Sequence, residues 1–96
     1  MIERNANFYM ANLGSEFLRF FNAFEKKDKQ LILASAERCA SLIEKVLSFE
    51  EMKAREGEIA VLKEILNDFT KDHQKYHITK SNLESYFNPF ALSLLK

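Results

Sequence analysis

The sequence predicts an all-α fold: a three-helix up-down-up antiparallel bundle closed by a short C-terminal fourth helix. Its 96 residues include only two Gly and one Pro, too few for the tight turns that join many short strands. Twelve Leu, nine Ala, eleven Glu and ten Lys stand against two Val and two Thr, which favours helix over strand. Because the chain has no repeat, low-complexity tract or linker composition, residues 1–96 are predicted to form one domain.

The first helix is predicted over about residues 3–27. Apolar side chains at spacings of four, three, four, three and four form one seam along it: Ala6, Met10, Leu13, Phe17, Phe20 and Phe24. Gly14 lies off this seam, and a glycine inside a helix costs about 1 kcal/mol relative to Ala. The continuous seam favours one helix with a kink near Gly14. The alternative is a break there, with Ser15 capping a new helix.

The second helix is predicted to begin near residue 29, because Asp28 is a good N-cap. Its seam consists of Ile32, Ala36, Cys39, Ile43 and Val46, and a second stripe beside it, Leu33, Ala40 and Leu47, recurs every seven residues. Two adjacent stripes make a wide apolar face. We therefore expect the second helix to be central, with a neighbour on each side and with alanines that permit close approach.

The third helix follows a turn placed somewhere in residues 48–58. Its seam runs through Ile59, Leu62, Leu66, Phe69, His73 and Tyr76. Proline disfavours helix at the residue before it and suits a first helical turn, so Pro89 predicts a turn around 82–87 and a last helix over about 89–95. We expect the apolar residues of this final segment to pack back on the long helices: Leu83, Phe87, Phe90 and Leu94.

Composition narrows the class of protein. Fourteen basic and 14 acidic side chains give a formal net charge of zero, which disfavours a dedicated nucleic-acid-binding domain or binding to anionic lipid. No stretch approaches the ~20 apolar residues of a membrane span, and the N-terminal residues lack the pattern of a signal peptide. The single cysteine, Cys39, cannot form an internal disulfide, which fits a reducing cytoplasm. We expect a cytoplasmic protein.

The phenylalanines point to an interaction surface. Phe20 and Phe21 are adjacent, so their side chains point about 100° apart on a helix and a single neighbouring element cannot cover both. Either Phe87 and Phe90 supply the cover, or a partner does. We therefore predict a protein-interaction or self-associating module, with a homodimer or another protein meeting these four residues.

Two alternatives rest on the region after Phe69. His73 and His77 share a helix face and can ligate one metal ion with Asp72, although His-Glu-x-x-His and Glu-x-x-His are both absent. The simpler interpretation is a partly buried seam histidine and a solvated one. The basic strip Lys71–Lys80 suggests weak nucleic-acid binding, although a solvated helix end is the favoured interpretation.

Catalysis has no positive support in the sequence. The chain contains no phosphate-binding glycine loop, Gly-x-Ser-x-Gly or Cys-x-x-Cys, and we expect no cofactor. Cys39 lies on an inner seam with no histidine near it in sequence, which is typical of a small buried hydrophobe.

Overall fold

The computed structural model describes residues 4–71 and 78–93, and every regular element within these ranges is helical. The four α-helices are α1 (Ala6–Glu25), α2 (Lys29–Leu47), α3 (Glu56–Thr70) and α4 (Lys80–Ser93). A short 3₁₀ helix, Glu50–Arg55, leads directly into α3 and occupies most of the region where a turn was predicted. The all-α prediction is confirmed.

Helix α1 is continuous through Gly14, which confirms the single helix favoured by the seam, and the alternative of a break there is wrong. Its N-cap is Asn5, whose side chain accepts a hydrogen bond from the Phe8 amide. The predicted seam is its buried side, and Met10, Leu13, Phe17 and Phe20 are fully buried. Gly14 lies where α1 meets α4: a Cβ built there would be 2.8 Å from the Cβ and Cγ of Phe87. The glycine therefore permits a close helix contact.

Helix α2 begins at the predicted position, since the Asp28 carboxylate accepts a hydrogen bond from the Leu31 amide at 3.1 Å. It packs on α1 and α3, which confirms the predicted neighbour on each side, but it is not the central helix. Three residues of its first stripe are buried, and Ile32 and Ala36 are half-buried, whereas Leu33 on the second stripe is 58% exposed and Ala40 is exposed too. Helix α1 is central instead, because its adjacent phenylalanines give it the wider buried face.

Rings from α1 connect it to the other helices. Phe17 lies against Phe87 of α4 with ring centroids 5.8 Å apart, and Phe21 and Phe24 each lie 5.0 Å from the ring of Phe69 in α3. The buried side of α3 follows the predicted seam as far as Phe69. The helix ends at Thr70, and the remainder of the predicted seam, His73 and Tyr76, lies outside the described residues.

Helix α4 starts nine residues before Pro89, so the predicted turn at 82–87 is wrong. Thr79 caps it reciprocally with Asn82: each backbone amide donates to the other's side-chain oxygen at 3.1 Å. Pro89 cannot donate to the Ser85 carbonyl, but both residues are exposed and water can satisfy that carbonyl. The buried residues that keep the segment helical are Leu83, Phe87 and Phe90, spaced four and three apart on one face.

None of the helices in the described ranges is long and apolar enough to cross a lipid bilayer.

Candidate functional site

The four phenylalanines predicted as an interaction surface are buried within the chain. Phe20 is fully buried, and Phe21, Phe87 and Phe90 are 5%, 5% and 8% exposed. The ring of Phe69 lies 6.2 Å from Phe20 and 5.0 Å from Phe21. The cover for the adjacent pair therefore comes from α3 as well as α4. Phe69 was placed on its own seam by the sequence, but nothing in the spacing connected it to this pair.

The predicted metal ligands, Asp72, His73 and His77, lie outside the described residues. Within the described residues, no three His, Cys, Asp or Glu side chains are grouped so that they could hold a metal ion. Of the basic strip, Lys71 is exposed at the end of α3, and the Lys80 ammonium lies 2.7 Å from the Glu25 carboxylate. This ion pair neutralises one of the charges on which nucleic-acid binding was predicted to depend.

A buried carboxylate joins α1 to α2. Glu16 is only 8% exposed, and its two oxygens accept hydrogen bonds from Arg19 Nη1 at 2.9 Å and Arg38 Nε at 3.0 Å. Arg38 also donates to Ser35 Oγ at 3.3 Å. Buried carboxylates require such partners, and a paired one fixes how two helices align. Sequence reasoning missed Glu16, although its position three residues after Leu13 and four before Phe20 was a signal that it lies near the interior.

Cys39 is fully buried beside this network, as expected of a small hydrophobe. Burial, and to a smaller extent the Glu16 carboxylate, raises the pKa of its thiol to about 12, although the Arg38 guanidinium partly opposes both. At neutral pH the thiol therefore keeps its proton. A protonated and enclosed thiol is a poor nucleophile.

A second polar cluster holds α4 in place. The Tyr86 hydroxyl donates to Glu58 of α3 at 2.9 Å, and Arg55 lies 3.5 Å from the same carboxylate oxygen. The Arg55 guanidinium also stands 5.2 Å from the Phe90 ring centroid, within range of a cation–π contact. Burial and the bond to Glu58 raise the pKa of Tyr86 to about 12. These contacts fix the docking of α4.

Two accessible apolar features on the described surface involve helix α2. The first, which we call the α2 stripe, is the second predicted stripe, Leu33, Ala40 and Leu47, together with the neighbouring Ala36 of the first: Leu33 and Ala40 are exposed, and the other two are half-buried against the core. The stripe has a leucine at each end and alanines between them, so the side chains in its middle protrude less than those at its ends. A second helix can approach such a surface closely.

The second feature, which we call the end hollow, is a cavity of about 540 Å³. It lies where the end of α1, the start of α2 and the end of α3 meet, and its lining residues are Phe24, Lys27, Lys29, Ile32, Leu33, Phe69 and Thr70. Phe24 and Phe69 are half-buried and buried, and they form an aromatic pair. The hollow thus has an apolar interior with two lysines at its edge.

Comparisons of this chain with protein-family models, curated proteins and solved structures give no match in any of the three.

Proposed function

We propose that the protein is a cytoplasmic helical module that associates with a second copy of itself through the α2 stripe and has no catalytic activity. The observation that carries this is the exposure of Leu33 and Ala40 on a helix whose other apolar stripe is buried or half-buried. A reducing cytoplasm suits the protein's lone thiol, which is enclosed and forms no disulfide.

The α2 stripe is self-complementary. Leu33 and Leu47 lie seven residues before and after Ala40, so an antiparallel pair of α2 helices crossing at Ala40 sets each Leu33 against the second copy's Leu47. The stripe spans 15 residues, and the two leucines at its ends are about 21 Å apart along the helix. The alanines meet at the crossing point and allow the helix axes to approach. A twofold pairing of this kind is the usual form of a homodimer.

We also propose that the three long helices form the up-down-up bundle and that α4 closes it. Tyr9 near the start of α1 lies against Phe49 just after α2, and Phe24 near the end of α1 lies against Phe69 near the end of α3. These contacts support alternating helix directions. The Lys80–Glu25 ion pair supports a fourth helix that starts beside the end of α1.

The oligomeric state of Ala40→Glu against Ala60→Glu tests the self-association. Both alanines are exposed on helices, so the two changes alter net charge and helix propensity equally, but only Ala40 lies on the stripe. Sedimentation at tens of micromolar should show a dimer for wild type and for Ala60→Glu, and a monomer for Ala40→Glu. A monomeric wild type, or a dimer that tolerates Ala40→Glu, would overturn the proposal.

A further inference from the structure

The end hollow has the composition of a small-molecule site. Its volume of about 540 Å³ falls within the roughly 300–1,000 Å³ of ligand pockets, which are mostly apolar with a few placed polar groups. Four of the seven described residues that line it are apolar and contributed by three different helices: Phe24, Ile32, Leu33 and Phe69. This arrangement suits one apolar chain rather than a flat protein surface.

The charge at the edge of the hollow is positive. Lys27 and Lys29 are exposed, and neither forms an ion pair with any described residue. The two acidic residues closest to them in sequence are engaged elsewhere: Glu25 pairs with Lys80, and Asp28 caps α2. Positive charge over an apolar interior selects a ligand that is anionic at one end and apolar along its length.

Lys27 occupies a backbone conformation that a lysine rarely adopts. Its φ is 56°, in the left-handed region. Its amide donates to Phe24, and the next amide, of Asp28, donates to Ala23; this is the pattern that ends helices and that glycine favours at this position. Glycine would hold the turn without steric cost. Lys27 thus places a positive charge at the edge of the hollow, in a left-handed backbone conformation that favours glycine. Residues strained in this way concentrate at functional sites.

We propose that the end hollow binds a free single-chain anionic amphiphile of the alkyl-carboxylate class. The alkyl chain would lie against Phe24, Ile32 and Phe69, and the carboxylate would meet the ammonium groups of Lys27 and Lys29. The hollow shares Leu33 with the α2 stripe, but Ala40 contributes nothing to it, so Ala40→Glu leaves its lining unchanged and the two proposals can be tested separately. A lipid bilayer offers the same chemistry from another source, but a hollow of this volume has room for one chain, and we commit to the free amphiphile.

The test compares two probes of equal chain length and opposite charge, decanoate and decyltrimethylammonium, each below its micelle-forming concentration. NMR titration of the full chain should show decanoate perturbing the signals of Phe24, Ile32 and Phe69 and binding more tightly than the cationic probe. Equal binding of the two probes, or perturbation confined to other residues, would overturn the proposal.

Variants of the two lysines at the edge of the hollow distinguish recognition of the carboxylate from nonspecific apolar binding. Lys29→Gln should weaken decanoate binding by roughly three- to fivefold, what one half-exposed ion pair contributes, whereas Lys53→Gln on the 3₁₀ helix should not. Lys27→Gly should weaken binding similarly while raising the urea midpoint of unfolding, so that the loss cannot come from a damaged fold. Unchanged affinity in both edge variants refutes the site.

A last arm addresses the bilayer. Wild type is sedimented with vesicles of phosphatidylcholine and phosphatidylglycerol. The total lipid concentration is set equal to a decanoate concentration that saturates the hollow. Little cosedimentation is expected. Cosedimentation that Lys27→Gly and Lys29→Gln abolish, without decanoate binding, would assign the lysines to a membrane surface and overturn the free-amphiphile site.

Discussion

The contact between Gly14 and Phe87 predicts that one substitution has opposite effects at two glycines. In a helix interior, Gly→Ala ordinarily stabilises by about 1 kcal/mol. At Gly14, the added Cβ would lie 2.8 Å from Phe87 Cβ and Cγ, atoms near the backbone that cannot swing aside. Overpacking of this kind costs about 1–3 kcal/mol. We therefore expect Gly14→Ala to be neutral or to destabilise the fold by up to ~2 kcal/mol.

Gly57 is the matched control. It lies in the first turn of α3, and an added Cβ would meet nothing within 4 Å. Gly57→Ala should therefore stabilise, and the two variants should differ in unfolding free energy by about 1–3 kcal/mol, the cost of the clash. Urea unfolding followed by far-UV circular dichroism measures both. If Gly14→Ala stabilises as much as Gly57→Ala, then α1 and α4 do not approach each other at Gly14.

Three further predictions concern polar groups. The buried Cys39 thiol keeps its proton to about pH 12, whereas the unfolded chain loses it near 9.0, so its contribution to stability is complete below pH 9 and declines above it. Between pH 8 and pH 10 the unfolding free energy should fall by about 1.4 kcal/mol, and a Cys39→Ala variant with the same slope would contradict this. Glu16→Gln should lower the free energy of unfolding by about 1–3 kcal/mol, because it weakens two charge-assisted hydrogen bonds. Urea unfolding measures this loss, and Glu50→Gln, in an exposed ion pair, is the control that should change stability by less than ~0.5 kcal/mol. Asp28→Ala should cost about 1 kcal/mol in the same assay by removing the cap of α2, and an unchanged midpoint would show that water replaces the cap.

The elements with a clear local signal were predictable from the sequence. The seam of α1 is the buried side of that helix, and Asp28 caps α2 as expected, because both depend on residues a few positions apart. Leu83, Phe87 and Phe90 also had helical spacing. The predicted turn at 82–87 relied on Pro89 instead of this spacing. A helix nevertheless tolerates proline where the carbonyl that loses its hydrogen bond faces water.

Features that depend on two distant segments were not predictable. From the sequence, Gly14 could be assigned only the destabilising effect of a glycine inside a helix. Its role in the close contact between α1 and α4 is seen only when Phe87 lies beside it. The same is true of Glu16, whose partner Arg38 is 22 residues away. The candidate surfaces follow the same rule: which of the two stripes of α2 stays exposed depends on where α1 and α3 settle. Spacing on α2 alone cannot decide it.

The docking of α4 on α1 has a consequence for synthesis. Helix α1 emerges from the ribosome before the other described helices and α4 after them, so the surface around Gly14 and Phe17 has no intramolecular cover until α4 has been translated. At about 5–20 residues per second, that interval lasts several seconds. In this interval the nascent chain exposes phenylalanine side chains to other molecules. A messenger RNA truncated before the codons of α4 would yield a product in which that aromatic surface is never covered by α4.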